Sequence, residues 1–317
     1  MTTARDLAEL VRLPAALTVP GDTLAGAAAA GWPAGARTAF LPAASACLYW
    51  AGMALNDYAD RDLDAVERPE RPIPSGRVSP RHALALAAGL TAAGVGLAAA
   101  AGRRHLVIGA ALAATVWSYD LLAKPTPLAP VVMAANRGLD VMLGAAGNPR
   151  PALPAALALT AHTVAVTALS RGEVTGTTPA VPRGAAATTA IVAVAAALLA
   201  GPAGAAALGG RAAGAGARRP LPAGATTAAA PPHRSGLTRL AAAGLAATYA
   251  WTVGRAQLEA ARRPDAPTVR RATGVGIRGM IPLQASLTAG AGALPAAAVV
   301  LAAGPVARLA TRRLSAT

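Results

Sequence analysis

The chain has 317 residues, 54% of them hydrophobic and only 14% charged, with a formal net charge of +15. A soluble domain carries about 25% charged residues, so this balance, with its long uncharged runs, argues against a soluble Ala-rich helical protein and for an all-α polytopic membrane protein. The positive charge is nearly all Arg without interleaved aromatics, which excludes a stacking surface for nucleic acid and suits loops anchored on anionic lipid.

The N-terminus, MTTARDLAELVRLP, carries two acids and lacks the basic–apolar–small layout of a signal peptide, so no cleavage is expected. Nine hydrophobic segments follow, at about 13–31, 39–58, 82–101, 104–122, 128–147, 152–170, 185–209, 236–254 and 275–303. Ala and Gly fill them, and such small residues let helices approach closely in lipid. The first holds Pro20, Gly21 and Asp22 and is expected to be broken or kinked. The second contains Cys47, the single cysteine, so no intrachain disulfide forms.

The second segment ends in "ALNDYADRDLDAVERPERPIPSGRVSP", residues 54–80. Six of the chain's 14 acids lie between Asp57 and Glu70. Asn56, Asp60 and Asp64 are four apart, which puts them on one helical face at successive turns, with Asp57 beside them. Carboxylates this close repel unless a positive charge lies between them. Oxygen ligands suit Mg²⁺, which shares its shell with water and phosphate oxygens. The pattern reads as a site that holds a diphosphate through metal at the membrane surface, with the apolar segment as the route for a lipidic chain.

The fourth segment leads to Lys124, the only lysine among 29 Lys and Arg. The fifth holds Asn136, Arg137 and Asp140, which cannot face lipid cheaply. Arg137 and Asp140 are three apart and can pair, either as substrate contacts in a cavity or as simple neutralisation. His162 on the sixth segment reads as a satisfied core histidine or a cavity hydrogen-bonder. The ninth segment is too long for one simple span. The connections 59–81, 123–127, 171–184 and 255–274 share one face and the larger share of Arg, which places them in the cytoplasm. Arg211, Arg218, Arg219 and Arg234 sit in a Gly/Ala/Pro-rich loop on the other side. One domain is expected over the whole chain, with no Ser/His/Asp arrangement, zinc spacing or phosphate-binding glycine loop.

"NDYADRDLD" followed by "RPIPSGRVS" resembles the paired signature of the UbiA family of intramembrane prenyltransferases. The similarity extends more loosely through "YDLLAKPT" and "NRGLDVMLGA". It implies nine transmembrane helices around a central cavity, and transfer of a prenyl group from a prenyl diphosphate to an aromatic or other lipid-soluble acceptor, with Mg²⁺. Carried onto this sequence, Asn56, Asp60 and Asp64 bind Mg²⁺–diphosphate, with Asp57 as a further ligand. Lys124, just after Tyr119, and Arg71 contact the diphosphate. The family's second acidic motif is replaced by "ALSRGEVTG", where Glu173 is the sole acid. Either Glu173 binds a second Mg²⁺ or Arg171 contacts the diphosphate in place of a metal. That form is similar to the EboC-like branch. The alternatives are a non-catalytic scaffold or carrier of the same fold, or a relative acting on another diphosphate, such as a phosphoribosyltransferase or terpene cyclase. The expected location is a bacterial plasma membrane, multi-pass.

Overall fold

The computed structural model describes residues 2–13, 19–200 and 236–315. Twelve α-helices build them, and no strand occurs among the described residues. The loop arginines 211, 218, 219 and 234, and the end of the seventh segment at 201–209, lie outside the described residues.

Helix α1 (Ala4–Leu10) is closed by a capping box: the Thr3 side chain accepts from the Asp6 amide, and the Asp6 carboxylate accepts from the Thr3 amide. The chain then turns at Arg12, whose φ is +48°. Helix α2 (Pro20–Ala29) is ten residues long and takes in Pro20, Gly21 and Asp22, with Pro20 at its first position, while residues 14–18 of the first segment lie outside the described residues. Helix α3 (Phe40–Ala59) runs directly into the short α4 (Arg61–Glu67). Helix α5 (Pro80–Ala101) starts on the Ser79 hydroxyl, which accepts from the His82 amide, and stops at Gly102, whose φ of +146° suits only glycine. Helix α6 (Arg103–Ser118) ends in a wide turn over Tyr119–Ala123. Helices α7 (Ala129–Ala145), α8 (Leu153–Ser170), α9 (Ala180–Leu199) and α10 (Gly236–Arg262) follow.

The ninth predicted segment is two helices. Helix α11 (Ala266–Gly290), capped by Asp265, and α12 (Leu294–Ser315) are separated by a turn at Gly292, whose φ is +94°. The predicted loop 255–274 is correspondingly short: only residues 263–265 separate α10 from α11. Of its arginines, Arg263 lies in that connection and Arg255, Arg262, Arg270 and Arg271 lie on the two helices.

Neighbours in sequence pack as hairpins, α3 on α5, α7 on α8 and α10 on both α9 and α11, while α2 inserts against α7. The α2–α7 contact is backbone on backbone. A Cβ at Gly26 would overlap the Val141 carbonyl, and one at Gly144 would overlap the Thr23 carbonyl. A second core gathers around Tyr249, Leu159 and Leu283. There His162 is held by the Tyr249 hydroxyl at 2.9 Å and the Gly276 carbonyl at 3.1 Å, the satisfied core histidine of the two readings.

Among the described residues, five helical stretches are long and apolar enough to cross a membrane: Gly35–Ala59, Pro80–Ala101, Arg103–Ala123, Arg150–Ser170 and Ala180–Leu199. Large apolar side chains such as Leu157, Ile191, Leu198 and Trp251 point outward, as a lipid-facing surface requires. The molecule is a multi-pass membrane protein.

Candidate active site

The acid cluster sits where α3 leaves the apolar bundle. The helix is interrupted at Asp60, yet its register continues: the Asp60 amide bonds to the Asn56 carbonyl at 2.9 Å and the Asp64 amide to the Asp60 carbonyl at 2.8 Å. Asn56, Asp60 and Asp64 therefore keep the one-turn spacing across the junction.

Each carboxylate is neutralised by a cation from a different part of the chain. Asp57, only 4% exposed, takes Arg12 at 2.9 Å and Arg71 at 3.4 Å. Asp64, 2% exposed, takes Arg71 at 2.6 Å. Asp60 pairs with Lys124. Three buried or half-buried carboxylates thus face Arg12, Arg71 and Lys124, with Arg68 a further 4.0 Å from Asp64, and Arg71, which serves both Asp57 and Asp64, is the cation whose loss would cost most in this low-dielectric site. The Lys124 position depends on the wide turn before it, in which the Lys124 amide reaches back five residues to the Tyr119 carbonyl at 2.9 Å. Such π-type turns are frequent at functional sites.

Helix α1 packs over this end. Arg77 binds Asp6 at 2.8 Å and Glu9 at 2.7 Å and 3.0 Å. The Thr3 hydrogen bonds, helped by Arg77, hold the Asp6 carboxyl down to about 2.

Below the acids lies a largely apolar cavity. Asn56, Tyr119 and Asp120 line one end, and Ser45, Asn136, Arg137 and Asp140 line the other. Leu48, Tyr49, Gly52, Met53, Leu112, Val116 and Met133 form the wall between them. Asn56 donates to Asp120 at 3.1 Å. Arg137 does not pair with Asp140 as helical spacing allowed. It binds Asp22 of α2 at 2.5 Å, while Asp140 accepts from Ser45 at 2.6 Å. The reason is tertiary: α2 and α3 bring a competing acid and a hydroxyl to α7.

Arg171 caps the C-terminus of α8, exposed, and lies within electrostatic range of the Tyr119 hydroxyl together with Asp60 and Asp120. Glu173 is held through its backbone, its amide donating to the Ser170 carbonyl at 3.1 Å and its carbonyl accepting from Arg270 at 2.9 Å, and no hydrogen bond or ion pair among the described residues joins its carboxylate to the cluster. Oxygen donors from Asn56, Asp60 and Asp64 fit Mg²⁺ by type. Among the described residues, however, no group of three His, Cys, Asp or Glu is gathered tightly enough to hold an ion without rearrangement. Asp57 is turned toward Arg12 and Arg71, because like charges without a counterion separate toward the nearest cations.

Sequence reasoning missed Arg12, Asp22, Ser45, Asp120 and Gln284. Only Asp120 left a signal, a second charge four residues before Lys124 on one helical face.

The sequence profile of the UbiA prenyltransferase family matches residues 17–217. A digeranylgeranylglyceryl phosphate synthase from Methanopyrus kandleri is 44% identical over 135 residues, covering 42% of this chain and 48% of that protein. Another from Natronomonas pharaonis is 44% identical over 96 residues, 30% of this chain and 35% of that protein. The chain thus spans about half the length, or less, of these curated relatives. Among solved structures, a UbiA homolog from Archaeoglobus fulgidus bound to DMAPP and Mg²⁺ superposes with a TM-score of 0.56 at 13% identity, covering 88% of this chain and 98% of that one. A UbiA homolog from Aeropyrum pernix gives 0.54 at 20% identity, over 84% and 96%. At these identities the likeness speaks for the fold.

Proposed function

The chain belongs to the UbiA prenyltransferase family, and from that premise we propose that it transfers a prenyl group from a prenyl diphosphate to a lipid-soluble acceptor at the membrane surface. The observation that carries this reading is the cavity itself: an apolar chamber whose mouth-side wall bears Asn56, Tyr119 and Asp120, beside three carboxylates balanced by three cations.

The balance suits an exchange of partners. Asp60, Asp64 and Asn56 would hold Mg²⁺, with Asp57 nearby. Lys124 and Arg71, released from those carboxylates, then face the diphosphate, joined by Arg171 from α8. Mg²⁺ supplies charge stabilisation of the departing diphosphate. The allylic C–O bond breaks, its electron pair leaves on the diphosphate, and Lys124 and Arg71 stabilise that charge as it develops. The apolar wall from Leu48 to Met53 excludes water from the allylic cation. The acceptor's nucleophile forms the new bond to carbon and gives up a proton. Several relatives are archaeal digeranylgeranylglyceryl phosphate synthases, and solved neighbours hold GPP or DMAPP with Mg²⁺, which supports a prenyl diphosphate donor. On this reading the acid-cluster loops lie on the cytoplasmic side of a cell membrane, supported by the larger share of Arg in the connections of that face.

The test is product identification by mass spectrometry after incubating the protein with a panel of prenyl diphosphates, Mg²⁺ and native lipid extract. Diphosphate release with a prenylated product supports the reading, and Asp60→Ala should lower turnover by about 100-fold or more. Diphosphate binding without turnover under any combination would leave a carrier of the same fold.

A further inference from the structure

The cavity's floor is polar, and a prenyl tail has no use for polar groups. Ser45 and Asn56 both line the cavity and both sit on α3, eleven residues apart. At a rise of ~1.5 Å per residue the floor therefore lies about 16 Å from the acid end.

At that floor the hydrogen bonds do not close. Arg137 donates to one Asp22 oxygen at 2.5 Å and Gln284 donates to the other at 2.7 Å, so both oxygens of Asp22 are taken. Ser45 donates to Asp140 Oδ2 at 2.6 Å. Asp140 Oδ1 and Asn136 Oδ1 are buried without a partner, and Asp140 is 4% exposed. The Asp22 and Asp140 carboxylates act on one another and share the single guanidinium of Arg137. The floor thus presents two buried side-chain oxygens, on Asp140 and Asn136, that no donor among the described residues satisfies. An unmet buried acceptor costs about 1–3 kcal/mol, and hydrocarbon pressed against it cannot recover that cost.

We infer that this floor is a subsite for the hydroxyl- or amine-bearing part of the acceptor, held by Asp140 and Asn136, and that the prenyl donor served by this cavity is short. The inference rests on the prenyl-transfer reading above. The short chain lies along Leu48, Gly52 and Met53 below the diphosphate. The acceptor's donor groups anchor at the floor, and its nucleophile extends toward the allylic carbon.

The experiment uses the full chain in lipid nanodiscs with Mg²⁺ and competition binding by non-hydrolysable thiolodiphosphates. Geranyl thiolodiphosphate should bind about tenfold tighter than geranylgeranyl thiolodiphosphate, and Asn136→Leu, which breaks no ion pair, should narrow that gap. A second probe pair is 1-O-hexadecylglycerol and its dimethyl ether. The free hydroxyls should confer about tenfold tighter binding, reduced by Asp140→Asn. Geranylgeranyl binding as tightly as geranyl, or no loss on methylating the hydroxyls, overturns the inference. Inorganic diphosphate with Mg²⁺ is the control: if the unmodified protein does not bind it, the prenyl-transfer reading itself fails. If it binds while the chain-length and hydroxyl preferences are absent, only the floor subsite is lost.

Discussion

The acid end is a set of charges waiting for a different counterion. Asp64 is nearly buried and depends on Arg71 at 2.6 Å, so Asp64→Asn removes both a proposed metal ligand and the partner of that arginine. Its Mg²⁺ requirement, read by titrating diphosphate binding, should rise by about tenfold or more. Glu173→Gln should change that requirement little, because no contact ties its carboxylate to the cluster. Arg171→Ala should weaken diphosphate binding by about tenfold or more if Arg171 makes the proposed bidentate contact to phosphate oxygens. An equal rise for Glu173→Gln and Asp64→Asn, with Arg171→Ala silent, would instead indicate a two-metal site. Arg12 illustrates what single-sequence reading misses. It lies 45 positions before Asp57, and the two meet because Leu10 and Val11 pack against Ala54 and Leu55 of α3.

Helices α2 and α7 meet through backbone, and the floor depends on that meeting. Gly144→Ala would drive a methyl group into the Thr23 carbonyl, separating Asp22 from Arg137. Thermal unfolding of the purified protein should show a loss of about 2 kcal/mol or more. Gly184→Ala, where a Cβ meets nothing within 4 Å, should be silent in the same measurement. At α1 the element is held by charge. The Asp6 carboxyl is depressed to about 2 in the folded chain against an ordinary 3.8, so it binds a proton less readily folded than unfolded. Its stabilisation is present above about pH 4 and is lost as pH falls from about 4 to about 2. Protection factors over residues 4–10, which divide out the intrinsic pH dependence of amide exchange, should fall across that window, and Arg77→Ala should lower them at neutral pH.

Across the whole molecule, the turn at 171–177 and the α10–α11 turn belong to one end, since the Thr177 amide bonds to the Pro264 carbonyl at 2.9 Å. The loops 59–81 and 123–127 also share an end, through Lys124 and Asp60. With the proposed cytoplasmic orientation, cysteines introduced at Ser75 and Thr178 in a Cys47→Ser background should react only with a reagent that reaches the cytoplasm. Labelling solely from outside would invert the topology.

The helical class, eight of the segments and the face shared by Asn56, Asp60 and Asp64 were legible in the sequence by itself. Each depends on spacing within one helix, and helical periodicity is a local property. The ninth segment, expected to be too long for one simple span, is indeed two helices, but the place of its turn at Gly292 was not legible, because the small apolar residues around it suit a helix as well as a turn. The partners of the charges were decided only by tertiary structure. Arg137 had a permitted neighbour three residues away in Asp140, yet it bonds to Asp22, 115 positions distant, because glycines on α2 and α7 let those helices touch. In a low-dielectric interior a charge goes to whichever opposite charge folding places nearest, and nearness between helices is set by packing, not by distance along the chain.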